Sequence, residues 1–252
     1  MRDEGAIARI VAAAGAIDDR TVIEIGPGPG AITEPLAAHA GKLRAIEFDH
    51  QLALRLRVHF GDRVEIVEQD VLQFDFTAAA AQAGQKLVVV GNLPYYITSP
   101  ILLKLAEHHA ALDRAVLMVQ REVADRVTAE PGTHDYGILS VTTQMYGPVQ
   151  RLFTLPPEAF EPPPEVHSTV FRWQFSPRFE QLGVDERSFI DLVKMAFAQK
   201  RKTLSNNLRA AKIDAARATA ALEKAGIDSH ARAETLTLEA FAALWHAINS
   251  NQ

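Results

Sequence analysis

The feature that most limits what this chain can fold into is a rhythm. Five short aliphatic or β-branched runs, Thr21–Ile25, Leu43–Glu47, Val64–Glu68, Leu87–Gly91 and Ala115–Val119, are each followed by a stretch able to form a helix or loop. Strands separated by helix-length crossovers pair in parallel, so the expected class is α/β with a mostly parallel sheet. The pattern changes after Pro148. Val149–Leu155 and Val166–Phe175 read as strands around the proline-rich Pro156–Pro164, and a hairpin on the sheet edge is expected because proline cannot donate to a central ladder. Residues Ser176 to Gly183 read as a linker, and everything beyond as helix: Phe189, Val193 and Phe197, then Ala240, Phe241 and Leu244, recur at three- and four-residue spacing. The expected division is a sheet domain over 1–176 and a small helical domain over 177–252.

With 252 residues and 48% hydrophobic content, the chain can bury one substantial core and a small second one. The absence of cysteine excludes disulfides and thiolate zinc sites and fits a reducing compartment. Residues Met1 to Ala16 carry both charge signs, and no later run approaches 18 apolar residues, so neither a signal peptide nor a membrane anchor is expected and the location read is cytoplasmic. A net charge of −5 argues against a nucleic-acid partner unless a local basic patch reverses it.

The first strand ends in Glu24-Ile25-Gly26-Pro27-Gly28-Pro29-Gly30, and Ala31–His39 reads as helix. Glycines let a backbone turn sharply and approach a ligand closely. The spacing is not that of dinucleotide binders, and no phosphate-gripping lysine follows, so a P-loop is excluded. Such a turn alone can be a tight connection, and a lone acid is usually a helix cap or a solvated strand end. Here Glu47 ends the second strand, where a carboxylate can accept both ribose hydroxyls of a nucleoside, and Asp70 follows the third, placed to accept from an adenine amino group. Three such features at the carboxyl ends of successive strands fall where open α/β sheets bind ligands.

After the fourth strand stands Gly91-Asn92-Leu93-Pro94-Tyr95-Tyr96. An exocyclic adenine amine is a poor nucleophile because its lone pair is delocalised into the ring. Acceptors that hold its N–H bonds favour a pyramidal nitrogen, and the Asn92 side-chain oxygen and Leu93 carbonyl can act so. Pro94 fixes the chain direction and biases Leu93 toward an extended backbone. Tyr95 offers a face for an extruded base. In isolation the segment reads as a proline turn with buried tyrosines. No tuned general base is required, since such an amine, once it has attacked an electrophile, loses its proton to water; positioning and electrostatics carry the chemistry.

These residues resemble the KsgA family of rRNA adenine dimethyltransferases over nearly the whole chain. The resemblance rests on Val22–Gly28, Gln69–Val71, Gly91–Tyr95, Gln120–Val123, Ala159–Ser168 and Phe197–Leu204. It implies a Rossmann-like S-adenosylmethionine-dependent methyltransferase sheet with a small C-terminal helical domain. It also implies N6,N6-dimethylation of two adjacent adenosines in the 3′-terminal stem-loop of small-subunit rRNA. By position, Glu24, Gly26, Gly28, Glu47, Asp70 and Asn92 would hold the cofactor; Asn92 would also orient the amine, and Tyr95 and Phe160 would sandwich the base. Phe160 by itself reads equally as a hydrophobic plug.

Between Met195 and Lys212 there is no acid, while Lys200, Arg201, Lys202, Arg209 and Lys212 stand beside Asn206 and Asn207. Such a run is usually a solvated helix face. Within the resemblance Lys200, Arg201, Lys202, Asn206 and Arg209 would contact RNA phosphates, with Arg121 and Arg126 extending the surface. The net acidity favours a pre-ribosomal particle over naked RNA, and a monomer without metal is expected. Family members carry an upstream Gln-x-Phe-Leu segment; this chain begins Met1-Arg2-Asp3, and weaker cofactor retention is the expectation. Three other readings stay open: a large-subunit methyltransferase of the antibiotic-resistance type, a non-catalytic RNA-binding assembly factor, and a dehydrogenase on the same sheet. Leu93 and the Lys200–Thr203 segment, read as helix, favour the small subunit.

Overall fold

The computed structural model describes residues 1–250. The elements in chain order are α1 (Glu4–Ala13), β1 (Thr21–Ile25), α2 (Thr33–His39), β2 (Lys42–Glu47), α3 (His50–Phe60), β3 (Glu65–Glu68), α4 (Phe76–Ala83), β4 (Leu87–Asn92), α5 (Thr98–Glu107), β5 (Leu112–Gln120), α6 (Arg121–Val127) and α7 (Ile138–Met145). There follow β6 (Val149–Leu155), β7 (Ser168–Gln174), α8 (Phe179–Leu182), α9 (Glu186–Ala196), α10 (Leu204–Ala210), α11 (Ala215–Lys224) and α12 (Leu238–Asn249).

One sheet runs in the order β3-β2-β1-β4-β5-β7-β6. The first five strands are parallel, and β7 runs antiparallel to both β5 and β6. The chain moves outward from β1 through β2 to β3, then returns to place β4 on the other side of β1. That reversal opens a crevice at the carboxyl ends of β1 and β4, the general ligand position of such sheets. All five residues of β1 and the first five of β4 are buried, which is why both read as unbroken apolar runs rather than alternating ones. The expected hairpin is present, with β6 on the edge carrying exposed Arg151 and a register irregularity at Arg151/Phe153, both of which discourage further pairing. Helix α1 is capped by the Asp3 carboxylate at 2.9 Å and lays Ala6, Ile10 and Val11 on the core beside Val88, Val116 and Val170. The Arg9 guanidinium, 3.7 Å from the Phe153 ring centroid, ties the same helix to β6.

The chain separates into two compact units, one of residues 1–124 and 148–176, the other of 125–147 and 177–250. The division therefore differs from one at 176 alone: residues 125–147 leave the sheet unit because α7 packs against α9. Within the helical unit Phe189, Val193, Leu204, Leu208, Phe241 and Leu244 are fully buried. The segment read as a linker also holds structure. Phe179 of α8 is buried edge-on against Tyr146 at 5.1 Å, so a polar stretch with one aromatic anchor forms a helical turn instead of an open connection. Among the described residues no helix is long and apolar enough to cross a membrane.

Candidate active site

The glycine turn leaves β1 with Gly26 at φ +65° and Gly28 at φ +56°, a region that side-chain-bearing residues rarely adopt. A Cβ on Gly28 would meet no protein atom within 4 Å, so the need there is backbone conformation and open space in front of the turn. Helix α2 starts at Thr33, two residues later than the apolar pattern suggested, because the turn continues through Ile32. Glu47, 8% exposed at the end of β2, braces this turn: Oε2 accepts from the Gly28 N–H at 3.2 Å and Oε1 from the Asp49 N–H at 2.9 Å. Each oxygen keeps further acceptor capacity for a ligand hydroxyl. Asp70 caps a short 3-10 turn, accepting from the Leu72 N–H at 2.9 Å.

Glu24 lies inside, 1% exposed, and its Oε2 has no partner. Burial drives its pKa up to about 8; the Thr33 hydroxyl opposes the rise although its oxygen completes no hydrogen bond by geometry, and the Glu47 charge adds to it. A buried carboxyl with an unused oxygen is costly unless a cationic or donor-bearing ligand engages it.

Beside these groups is a cavity of about 430 Å³ walled by Gly26, Glu47, Phe48, Asp70, Pro94 and Tyr96 among others. It joins the glycine turn, the two acids and the segment after β4. Glu24, Gly28, Asn92, Leu93, Tyr95 and Phe160 are not on its wall. Strand β4 approaches β1 so closely that a Cβ on Gly91 would stand 2.9 Å from the Ile25 carbonyl oxygen. Leu93, 1% exposed, donates its N–H to the Met118 carbonyl at 2.9 Å, and the Pro94 carbonyl accepts from the Thr98 hydroxyl at 3.0 Å. The segment is thus pinned from both ends. Between the pins, the Asn92 Oδ1 is buried without a partner. The Tyr95 hydroxyl is bonded to Ser168 Oγ at 2.8 Å, which fixes its ring relative to β7. Phe160, 8% exposed, belongs to the apolar cluster that includes Ala6, Ile10 and Leu155.

In the helical unit, Lys200, Arg201 and Lys202 lie in the loop between α9 and α10, not on a helix. Thr203 is the reason: its hydroxyl caps α10, so the helix begins only after the basic run. Lys200, Arg201, Lys202, Asn206 and Arg209 are exposed, and among the described residues none of these cations forms an ion pair. Asn207 has a different role from the one its neighbours suggested. It is 2% exposed and donates from Nδ2 to the Ala196 carbonyl at 2.6 Å and the Gln199 carbonyl at 3.2 Å, stitching the loop backbone to α10. Arg121, in the other unit, is exposed and its N–H donates to the His167 carbonyl at 2.9 Å. The sequence reading missed Phe48, Thr33 and the separate fates of Tyr95 and Tyr96; neighbouring aromatics give no signal of which one will be tethered.

A sheet of this order with an antiparallel β7, a glycine turn after β1 and acids after β2 and β3 defines a Rossmann-like, nucleoside-cofactor methyltransferase. The comparisons narrow this. The family model described as ribosomal RNA adenine dimethylase matches residues 1–250, and the chain belongs to that family. It is 57% identical over 247 residues to a ribosomal RNA small subunit methyltransferase A of Acidobacterium capsulatum, covering 97% of this chain and 87% of that protein. The identity with the protein of the same name from Koribacter versatilis is 49% over 261 residues, covering 98% and 91%. Among solved structures, a dimethyladenosine transferase from Plasmodium falciparum shares the fold with a TM-score of 0.83 at 24% identity, over 99% of this chain and 97% of that one. The 23S rRNA methyltransferase ErmE gives a TM-score of 0.74 at 26% identity, over 99% of each chain. The dehydrogenase reading is thereby set aside.

Proposed function

We propose that this chain transfers methyl groups from S-adenosylmethionine to N6 of two adjacent adenosines in the 3′-terminal stem-loop of small-subunit rRNA, giving N6,N6-dimethyladenosine. The observation that carries the proposal is the buried, unpartnered Asn92 Oδ1, held by a pinned backbone beside an acid-walled cavity. Empty acceptor capacity at that point suits an amine arriving with two N–H bonds to satisfy.

The residues present fit the cofactor: the orphaned Glu24 oxygen, the open space before Gly28, and the two acids would receive an amino-acid moiety, a close-lying chain and a ribosyl purine respectively. When bound, S-adenosylmethionine supplies an electrophilic methyl on a cationic sulfur. The protein supplies orientation. Asn92 Oδ1 accepts one N–H of the target amine and the Leu93 carbonyl the other, drawing the lone pair out of the ring plane. Pro94 fixes the direction of that carbonyl. Tyr95 and Phe160 enclose the everted base, Tyr95 held by Ser168. The nitrogen sheds its proton to water after each transfer. Lys200, Arg201, Lys202, Asn206 and Arg209, with Arg121, engage RNA phosphates of a pre-ribosomal particle in the cytoplasm, and the protein acts as a monomer without metal.

The test is incubation with methyl-labelled donor and separate immature small and large ribosomal subunits. Label in small-subunit RNA alone is expected. Label confined to the large subunit overturns the substrate, and binding of the particle without transfer overturns the activity in favour of an assembly factor.

A further inference from the structure

The loop that carries Phe160 joins Leu155, the end of β6, to Ser168, the start of β7, and holds Pro156, Pro157, Pro162, Pro163 and Pro164. Proline donates no N–H, so such a loop builds little regular structure and is placed by what other elements give it. It forms a 3-10 turn at Pro157–Ala159, closed by the Phe160 N–H on the Pro157 carbonyl at 3.1 Å. At its far end Ser168 is bonded to the Tyr95 hydroxyl, and the His167 carbonyl accepts from the Arg121 N–H.

The near end is held by Arg2. Its N–H donates to the Ala159 carbonyl at 2.9 Å, and its Nη2 lies 2.6 Å from Oε2 of Glu161. Ala159 and Glu161 are the chain neighbours of Phe160, so one residue grips the backbone on one side of that ring and a side chain on the other. Phe160 itself shares the apolar cluster with Ala6 and Ile10 of α1. Asp3, the next residue, caps α1 and so ties Arg2 directly to that helix. The Arg2 and Glu161 side chains are 68% and 54% exposed, and an ion pair so exposed adds little to stability. What it restricts is where the loop lies.

Resting on the proposed role of Phe160 as one wall of the base site, we infer that Arg2 is a positioning residue that sets the place of the Phe160 ring through its bonds to Ala159 and Glu161. Each wall then has its own anchor. Ser168 holds the Tyr95 ring from β7, and Arg2 holds Phe160 from the start of α1. Arg2 touches neither the base nor the cofactor, and it acts on methyl transfer through Phe160 alone.

Steady-state methylation of immature small subunits by the full chain tests this, together with calorimetric binding of S-adenosylmethionine and a thermal melt. Arg2→Glu sets like charges together at Glu161 and is expected to lower kcat about 3- to 10-fold, the scale of losing an exposed ion pair and gaining a repulsion of similar size. KM for the particle and the Kd for S-adenosylmethionine should stay within twofold, and the melting temperature within about 4 °C. The exchanged pair, Arg2→Glu with Glu161→Arg, is expected to return kcat to within twofold of the wild type. In a Phe160→Leu background, which keeps apolar bulk but not the ring, Arg2→Glu should lower kcat no further. An unaltered kcat in Arg2→Glu overturns the inference. So does an equal loss in the Phe160→Leu background, an exchanged pair as impaired as the single variant, or a weakened Kd for S-adenosylmethionine that accounts for the whole defect. Wild-type kcat in Phe160→Leu, or a wild-type protein that fails to label the particle, defeats the proposed function underneath, and both are recognised separately because Arg2 is untouched in them.

Discussion

The carboxyl ends of β1 to β4 and the loop between α9 and α10 are both polar, in opposite ways. In the first, the polar groups are inside: Glu24 and Glu47 are buried, and Glu24 Oε2, Thr33 Oγ1 and Asn92 Oδ1 are buried without a partner. In the second, the charges are outside, unpaired on Lys200, Arg201 and Lys202, while buried Asn207 spends its Nδ2 on backbone carbonyls and leaves its Oδ1 without a partner, no part of the acid-walled cavity. An orphaned buried atom is expensive, and where two of them stand beside a cavity they suit a small ligand that meets them atom by atom. An exposed cation costs little, is screened by salt, and reports a large anionic surface met by charge. One region should fail through cofactor affinity and chemistry, the other through particle affinity and its salt dependence.

The sharpest break in this contrast is pH. Glu24 ionises near pH 8 in the folded protein against an ordinary 4.5, so the folded state binds more protons throughout that interval. Its contribution to stability is complete below pH 4.5 and is lost as pH rises through about 8. Chemical denaturation of the protein without cofactor should show a decline of a few kcal/mol across this window, shared with other titrating groups. Glu24→Gln should flatten it; an unchanged slope in the variant would mean that Glu24 is not the buried acid described.

Next is Glu47→Ala. Removing the carboxylate deprives the Gly28 and Asp49 N–H groups of their acceptor in two half-buried hydrogen bonds, each worth about 0.5–1.5 kcal/mol. The Kd for S-adenosylmethionine should rise ~10- to 100-fold by calorimetry, with particle binding unaffected. A particle-binding defect of equal size would dissolve the distinction between the two regions. The smallest effect belongs to Lys200→Ala/Arg201→Ala/Lys202→Ala. At low salt, particle affinity should fall modestly, and the slope of log affinity against log salt should decrease by about 2–3, following ~0.9 per lost phosphate contact. The Kd for S-adenosylmethionine should stay fixed.

What the sequence disclosed differs between the regions for a physical reason. β1 and β6 run over the residues expected, because a buried central strand is a continuous apolar run and the edge strand is bounded by prolines. Glu47 and Asp70 were legible because the strand rhythm places acids at known ends. The basic run was misread as helix: positive charge says nothing of backbone, and the stop signal was the Thr203 cap, one residue beyond. The grouping of residues 125–147 with the helical unit depends on α7 meeting α9, a tertiary contact without a local signature. Whether Tyr95 or Tyr96 would be tethered depended on Ser168, 73 residues from Tyr95.

Nucleoside mass analysis of small-subunit RNA reads out whether Asn92 orients an adenine amine for methyl transfer. After incubation with S-adenosylmethionine and the wild-type protein, N6,N6-dimethyladenosine should appear at two adjacent positions. Asn92→Ala, binding the particle as before, should form it at least ~100-fold more slowly, the scale of losing one preorganised polar contact. Equal rates in the two proteins, or methyl groups on any atom other than adenine N6, would contradict the account.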